Sequence, residues 1–525
     1  MNTASPAKPP LLAFAVLAAA LAAPATRAQT VAHQVVAFSG DILPGASSIS
    51  IATIESASAS GDGRVAFHAT IAGPGVTGAN NEGIWTVPSG LAPNQLVARK
   101  GGMAPWGTAY QTFASPKIGP AGHVAFVTDN GGVIEGSLFG IVGQPGALGS
   151  LLFNGMPAPS KSPRKFLIFH LEMVNASGVG VAEATLDDIS SKGIWVGVPG
   201  HLQKLAATGD AATGLGTPGT TFVTPSEPSI NQSGTVAFRA TLSGEAAFAD
   251  SIWRGTPGSL VPILRRGSTL PNGEVITSLG SPAINDADVV ALRAGTTTVT
   301  DGIWMQSPSG LQRHISVGQA APSTGGRTFA SFKTISINQS GQIAFEAGLS
   351  GDSSTAQSLW RREPDGRLVL VVQAGMALPV RGGTAALSQF FIDKRCLAEN
   401  GDVFFRARFG TGSGANWGVY RASVSQPADP ITATKPPVVK LAGGGVFRTT
   451  TARVRLHGSA VSGGSPLHRV EFRPGKAKAY SRAGGTAKWS ARPNVPRGRS
   501  SVLVRAVAAD GKISKPTMAR VLRTK

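Results

Sequence analysis

Eight histidines, one cysteine and 28 carboxylates are the groups from which this chain of 525 residues could build a reactive site. The histidines are scattered without metal-ligand spacing. No His-Glu-x-x-His, no paired Cys-x-x-Cys, no Gly-x-x-x-x-Gly-Lys-Ser/Thr and no Gly-x-Ser-x-Gly elbow occurs, so no catalytic residue, cofactor or metal is expected from motifs. Asn285-Asp286-Ala-Asp288 has the opening of a calcium loop but lacks the following glycine and the distal glutamate, and reads as a turn. Asp187 and Asp188 are adjacent, which sends their side chains in opposite directions on a strand rather than together across a glycosidic bond. Cys396 has no partner for a disulfide and reads as a small buried residue, with a reactive thiol as the alternative.

One constellation recurs. His68, Val127, Glu183, Arg239, Arg293, Glu346 and Arg406 each follow the same repeat position, usually a phenylalanine. If they stand at one height in neighbouring sheets, Glu183 faces Arg239, and Glu346 faces Arg293 and Arg406. Two readings follow: ion pairs that set the register between sheets, or a ring beside a channel that takes an anionic ligand.

The element that must position them is a tandem repeat. Asn231-Gln-Ser-Gly234-Thr-Val-Ala-Phe238 returns as Asn338-Gln-Ser-Gly341-Gln-Ile-Ala-Phe345. Asparagine opens a turn through its side chain, and glycine three residues on supplies the positive φ of a tight hairpin. Strict alternation follows, which marks a strand. Aligned on the Phe position, the copies fall at Phe67, Phe126, Ala182, Phe238, Leu292, Phe345 and Phe405, a period just above fifty that suits propeller blades or solenoid coils. The first, second and last copies carry Ser60, Gly119 and Ala398 in place of the asparagine. A Gly/Ser-Ile/Leu-Trp strand recurs in phase (Gly83-Ile-Trp85, Ser251-Ile-Trp253, Ser358-Leu-Trp360), followed by a further strand, making about four strands per unit. The Phe and Trp stripes read as packing between sheets, with a sugar-stacking platform as the alternative. Asn175, Asn231 and Asn338 also match glycosylation acceptors, but their common phase makes them turn residues first.

This pattern resembles the secreted bacterial family named for its NxxGxxAF tandem repeats, the "choice-of-anchor" proteins, over about residues 30–424. The resemblance implies export and surface attachment through varied C-terminal signals, and carries no activity or catalytic residues. The chain departs from many of those proteins in ending Arg520-Val-Leu-Arg-Thr-Lys525, without an apolar sorting tail.

Residues 1–28 read as a signal peptide: Lys8, the apolar run Leu11–Ala23, then Thr26-Arg-Ala28. The apolar run is too short to span a bilayer. The mature chain is therefore expected outside the cytoplasm (secreted, at the cell surface or in the periplasm) and without a transmembrane segment. At residues 34–40 stands a strand with no Trp strand before it, and at 418–421 a Trp-type strand (here Tyr420) with nothing after it. Pairing the two would close a ring, which removes sheet edges where a solenoid leaves them exposed. The expectation is all-β: a seven-bladed propeller over 29–424, a Pro/Thr linker over 425–437, and a small immunoglobulin-like β-sandwich over 438–525. The sandwich strands are read at 438–441, 452–456, 469–473, 486–490, 501–508 and 517–522, and the segment Val502–Pro516 resembles the end of bacterial immunoglobulin-like modules.

Charge is divided unevenly. Residues 29–430 hold 26 basic and 26 acidic residues, whereas 431–525 hold 20 basic residues against Glu471 and Asp510. Arg453, Arg455, Arg469, Arg473, Lys476 and Lys478 form a candidate patch for an anionic polymer such as an acidic polysaccharide or a cell-envelope surface. Nucleic acid is not favoured, because only Tyr480 and Trp489 offer rings for stacking. The expected role is non-enzymatic binding or surface display, with two rivals: a propeller-based carbohydrate-active hydrolase or lyase, and a purely structural envelope protein.

Overall fold

The computed structural model describes residues 30–44, 48–89, 94–131, 136–215, 219–244, 249–307, 310–425, 436–462, 467–475, 477–509 and 511–524. The expected signal peptide, most of the expected linker, Lys476 and Asp510 lie outside the described residues. The chain divides into two compact units, 1–426 and 427–525.

The first unit is built of antiparallel sheets with a propeller-like order. Each Asn-x-x-Gly turn joins two long strands. In the third sheet, Phe166–Val174, Gly180–Leu186, Lys192–Val198 and His201–Ala207 lie side by side in chain order. The fourth (Phe222–Ile230 to Ser259–Arg265), fifth (Ile276–Ile284 to Gly310–Ser316) and sixth (Phe329–Ile337 to Leu368–Gln373) sheets repeat that order, as does the first (Ser50–Ala59 to Gln95–Arg99). In the second sheet the first strand is broken into Thr112–Phe113 and Lys117–Ile118. In the seventh, Gln389–Phe391, Val403–Phe409 and Asn416–Ser425 are completed by the strand Thr30–Phe38 from the start of the chain. Val35 pairs with Tyr420, and Phe38 with Gly418. The connector before the seventh sheet carries an unforeseen hairpin, Ala377–Val380 with Gly383–Ala386.

Apolar cores lie between consecutive sheets. Val181, Ile194 and Leu205 of the third sheet meet Phe222, Phe238 and Trp253 of the fourth. The series runs on to a core in which Phe404 and Val419 of the seventh sheet meet Ile54, Phe67 and Trp85 of the first. All seven Phe-position side chains are buried. Burying each phenylalanine contributes about 1.5–3 kcal/mol. The tryptophans of the recurring Trp strands (Trp85, Trp195, Trp253, Trp304 and Trp360) are buried too, which favours packing over a stacking platform. The Gly/Ser choice two residues before each one has a local cause. Ser251 and Ser358 accept the indole N–H of Trp253 and Trp360 at 2.8 Å and donate to Ala240 and Ala347 carbonyls. At Gly193 and Gly83 a Cβ would stand 2.8 and 2.9 Å from the ring of Trp195 or Trp85.

The repeated asparagine does more than open its turn. Asn175, Asn231, Asn285 and Asn338 each accept, on Oδ1, the N–H four residues on. Each Nδ2 then donates to the carbonyl of the matching residue in the next sheet, Asn231, Asn285, Asn338 and Ala398 in turn, at 3.0–3.3 Å. Two of the three copies without asparagine are those whose first strand is broken or short.

In the second unit, Val438–Leu441, Leu456–Val461, Lys488–Ala491 and Gly484–Gly485 form one sheet. Val446–Thr449, Thr517–Arg523, Gly498–Ala508, Leu467–Pro474 and Ser481–Arg482 form another. Val439, Leu456 and Trp489 from the first meet Val470, Val502, Val504 and Val521 from the second in one core. The strand expected at 452–456 begins only at Leu456. Before it, the Arg453 backbone bridges to Asn494, and Thr449 and Thr451 side chains bond each other and close the turn.

Candidate functional site

The recurrent position after phenylalanine is engaged, but not as expected. Arg239 Nη2 donates to Asp250 at 3.0 Å, Arg293 Nη2 to Asp301 at 2.8 Å, and His68 Nε2 meets Glu82 at 2.9 Å. Glu346 accepts from Lys333 and from Gln357, both at 3.1 Å. Every one of these partners belongs to the same sheet. The pairs expected across sheets, Glu183 with Arg239 and Glu346 with Arg293 and Arg406, do not form. The reason is distance: neighbouring strands lie about 4.8 Å apart, whereas packed sheets lie about 10 Å apart. The overlooked signal is the acidic or amide residue that stands directly before the Gly/Ser of four of the five Trp strands, Glu82, Asp250, Asp301 and Gln357; the third sheet has Lys192 there.

Three of these groups also reach the next sheet. Glu82 accepts the N–H of Phe113 at 3.0 Å, and Asp301 that of Phe332 at 3.2 Å. Gln357 donates to the Phe390 carbonyl at 2.8 Å. Glu183 reaches across by itself, accepting the N–H of Glu227 at 2.8 Å. Its carboxyl is raised above the ordinary range, first by burial and then by the neighbouring Glu172. Burial likewise lowers His68, although Glu82 works the other way. Arg406 takes a different course. Its Nη1 donates to the carbonyls of Ile54 and Glu55, and its guanidinium lies 4.4 Å from the ring centres of both Phe391 and Trp417. Burial brings it down to about 10. All six side chains are engaged by protein groups of their own or the next sheet, and no two of the six bond each other.

A second cluster escaped the sequence reading. Directly after the short first strand of the seventh sheet come Asp393, Lys394 and Arg395. Lys117 of the second sheet donates to Asp393 at 2.7 Å. Lys394 meets Glu172 of the third sheet at 2.8 Å. Arg395 donates to the carbonyls of Val174 in the third sheet at 3.1 Å and Ile230 in the fourth at 2.8 Å. Burial lowers Arg395, opposed by the charges of Asp286, Asp393, Glu399 and Asp62. Burial also acts to lower Lys117, but Asp393 outweighs it and the amine is raised. The signal was an unbroken run of three charges where the aligned stretches read Lys333-Thr-Ile335, Gly280-Ser-Pro282 and Ser226-Glu-Pro228. Cys396 follows, buried, its thiol pushed up to about 12 by desolvation, a setting that disfavours the nucleophilic thiolate.

Beside this strap is a cavity of about 10 Å³ lined by Asp393, Arg395, Cys396 and Arg406, room for one water. A polar cleft of about 220 Å³ is lined by Arg64, Gln95 and Gln144, and an open groove of about 410 Å³ by Leu96, Met103 and Tyr110. The lining of all three includes one carboxylate, Asp393. At 285–288 the oxygens serve the turn: Asn285 accepts from Ala287 and Val289, Asp286 from Gln232, and Asp288 from Asn231. Asp188 accepts from Ser191, and Arg164 approaches both it and Asp187. No group of three or more metal-ligating side chains occurs among the described residues.

In the second unit the sequence-read patch divides. Arg453 and Arg455 are exposed around buried Val454, ahead of the first-named sheet, and Arg453 donates to Asn494 at 3.3 Å. Arg469 and Arg473 lie on the outer side of the five-stranded sheet. Lys478 is exposed in the turn beyond, and Lys476 is outside the described residues. Glu471 holds Arg469 at 2.6 Å and Arg505 at 2.8 Å. Burial would raise its carboxyl, but the two guanidiniums hold it below the usual range. Arg473 and Arg505 both lie over the Tyr480 ring, at 4.9 and 3.7 Å. No helix among the described residues is long and apolar enough to cross a membrane.

No curated protein matches the chain. Among solved structures it is similar to a fungal alcohol oxidase in complex with copper, at 10% identity and a TM-score of 0.37, covering 94% of this chain and 100% of that one. It is also similar to a gluconolactonase from Xanthomonas campestris, at 13% identity and a TM-score of 0.30, covering 60% of this chain and 86% of that one. A third is the calcium-binding protein regucalcin from Agrobacterium tumefaciens, at 11% identity and a TM-score of 0.28, covering 58% and 89%. Residues 19–420 match the model described as "Family of unknown function (DUF7453)", and the chain belongs to that family.

Proposed function

We propose that the chain is an exported, non-enzymatic binding or surface-display protein. In this reading a seven-bladed propeller, akin to the NxxGxxAF repeat proteins, carries an immunoglobulin-like module that holds an anionic surface polymer. Three features support the ring: the pairing of Thr30–Phe38 with Asn416–Ser425, the core shared by the seventh and first sheets, and the Asp393–Arg395 strap. A short strap from the seventh sheet can meet the second, third and fourth sheets together across the middle of a ring, but not from one end of an open stack. The same strap would fill the middle, which argues against an anionic ligand in a central channel.

The observation that carries the functional reading is the outer side of the five-stranded sheet, where arginines stand in excess of carboxylates. Such a surface attracts polyanions with an affinity that falls as salt rises. The test is retention of the full chain on immobilised heparin. Elution well above 0.15 M salt is expected, where exposed charges are screened within about 8 Å. Passage through the column at low salt would end the reading.

A further inference from the structure

Alternation along the five-stranded sheet sends Val470, Val502, Val504, Ala519 and Val521 inward. The opposite parity points outward and is dominated by arginine. Register then fixes a pattern. Arg499 pairs with Leu522, and Leu522 with Arg448, so two guanidiniums flank one apolar side chain across three strands. Their backbones are two strand spacings apart, about 10 Å. Ser501 pairs with Arg520, and Arg520 with Val446, in a neighbouring row. Arg448, Arg499 and Arg520 are exposed and make no ion pair among the described residues. The one carboxylate on this side among the described residues, Glu471, is already engaged by Arg469 and Arg505.

The residue choice is informative. The outward positions of these strands hold arginine and no lysine, whereas the outer side of the other sheet holds Lys440 and Lys488. A guanidinium is a planar fork that matches carboxylate or sulfate oxygens in pairs, whereas an ammonium is a point charge. Bases would need open rings on which to stack. Tyr480 lies beneath Arg473 and Arg505, and Trp489 is buried between the sheets. Val446 and Met518 are 62% and 51% exposed; Met518 pairs with half-buried Leu503 and Val446 with Arg520, so the apolar side chains are interrupted by Arg520 and bordered by Arg473 rather than gathered in one broad patch suited to a bilayer.

We propose that this sheet surface binds an acidic polysaccharide in which charged and neutral sugars alternate. Its anionic groups lie on Arg448, Arg499 and Arg520, and the apolar side of a neutral sugar lies on Leu522. The proposal deepens, and rests on, the reading of the second unit as the polyanion-binding part.

The experiment titrates the full chain with two alternating polymers, hyaluronan (carboxylate) and keratan sulfate (sulfate ester), with dextran, poly(dT) and phosphatidylserine vesicles as comparators. Its variants are the triple R448Q/R499Q/R520Q and the equally charged control R453Q/R455Q/K478Q. Thermal melts check that both fold, and Arg520→Gln alone substitutes if the triple melts early. The expected result is a tenfold or greater loss of affinity for at least one alternating polymer in the triple, about threefold for Arg520→Gln, and less than twofold in the control. The more affected polymer identifies the anionic group. Equal losses in triple and control would overturn the proposal while leaving polyanion binding intact. Tighter binding of poly(dT) or vesicles, abolished in the triple, would overturn the polysaccharide assignment. Failure of the parent chain to bind any polyanion would overturn both this proposal and the reading beneath it.

Discussion

The two units use charge in opposite ways. In the first, basic and acidic residues balance, and the charged side chains of the repeat find partners within the chain: a carboxylate on the next strand, a backbone N–H in the next sheet, a carbonyl across several sheets. In the second, arginines outnumber what Glu471 can engage, and Arg448, Arg499 and Arg520 stand on a sheet surface without an ion pair among the described residues. The number of charges is therefore a poor guide to where function lies. A charge with its partner already built in is part of the scaffold, and one without is available to something else. The contrast implies that removing a charge from the first unit costs stability, whereas removing one from the second alters binding.

The largest effect is expected at the strap. Arg395→Ala strands the carbonyls of Val174 and Ile230 and leaves the strap without its hold on the third and fourth sheets. Two lost charge-assisted hydrogen bonds amount to about 3 kcal/mol. Denaturant unfolding should show the midpoint falling accordingly, with heparin retention unchanged in the folded protein. Arg395→Lys retains the charge but not the fork, and should recover about half. A strap variant as stable as the parent would break the comparison, because this charge would then have no structural task.

A smaller loss, about 2 kcal/mol, is expected from Asn231→Asp. Aspartate retains the Oδ1 acceptor for the turn but loses the Nδ2 donor to Asn285, and it places a carboxylate against Asp288, now 2.9 Å from that nitrogen. Two carboxylates so placed raise one another's pKa. The loss should be greatest at neutral pH and shrink as acid protonates the pair, which unfolding midpoints at pH 7 and pH 5 would reveal. An equal loss at both values would place the effect in the turn alone and remove the ladder from the argument.

Much of this architecture is legible in residue order, for a definite reason. Turn asparagines, glycines and period-two alternation act locally, so the hairpins and the four-strand unit follow from neighbours in sequence. The pairing of residues near 35 with those near 420 was legible because each strand lacked a partner its repeat demanded. What a repeat alignment cannot display is direction in the third dimension. Aligning Glu183 with Arg239 gave them one phase and hid the nearer partner two residues along the adjacent strand. The ladder from Asn231 to Asn285 uses a side-chain atom that the turn leaves spare, which the turn alone does not reveal. Arg453 and Arg469 looked alike because both flank a buried valine. Only the structure separates them: Arg469 lies in a strand of the five-stranded sheet, whereas Arg453 precedes the strand that begins at Leu456.

The smallest effect is the most diagnostic. Glu471 is the single carboxylate opposing the arginines of its sheet among the described residues, and it holds two of them. Glu471→Gln retains a side-chain acceptor but releases a negative charge, so Arg469 and Arg505 become free to face solvent. If that surface serves a polyanion, affinity should rise by about twofold even as the fold loses about 1 kcal/mol from the weakened bonds. Stability and binding would then move in opposite directions in one variant. In the first unit the counterpart is Asp250→Asn, which likewise releases an arginine, Arg239, from its partner. There stability should fall with no gain in polyanion affinity. A parallel gain in both variants would mean that net charge alone governs binding, and that the arginine-lined sheet is no more a site than any other basic surface of the chain.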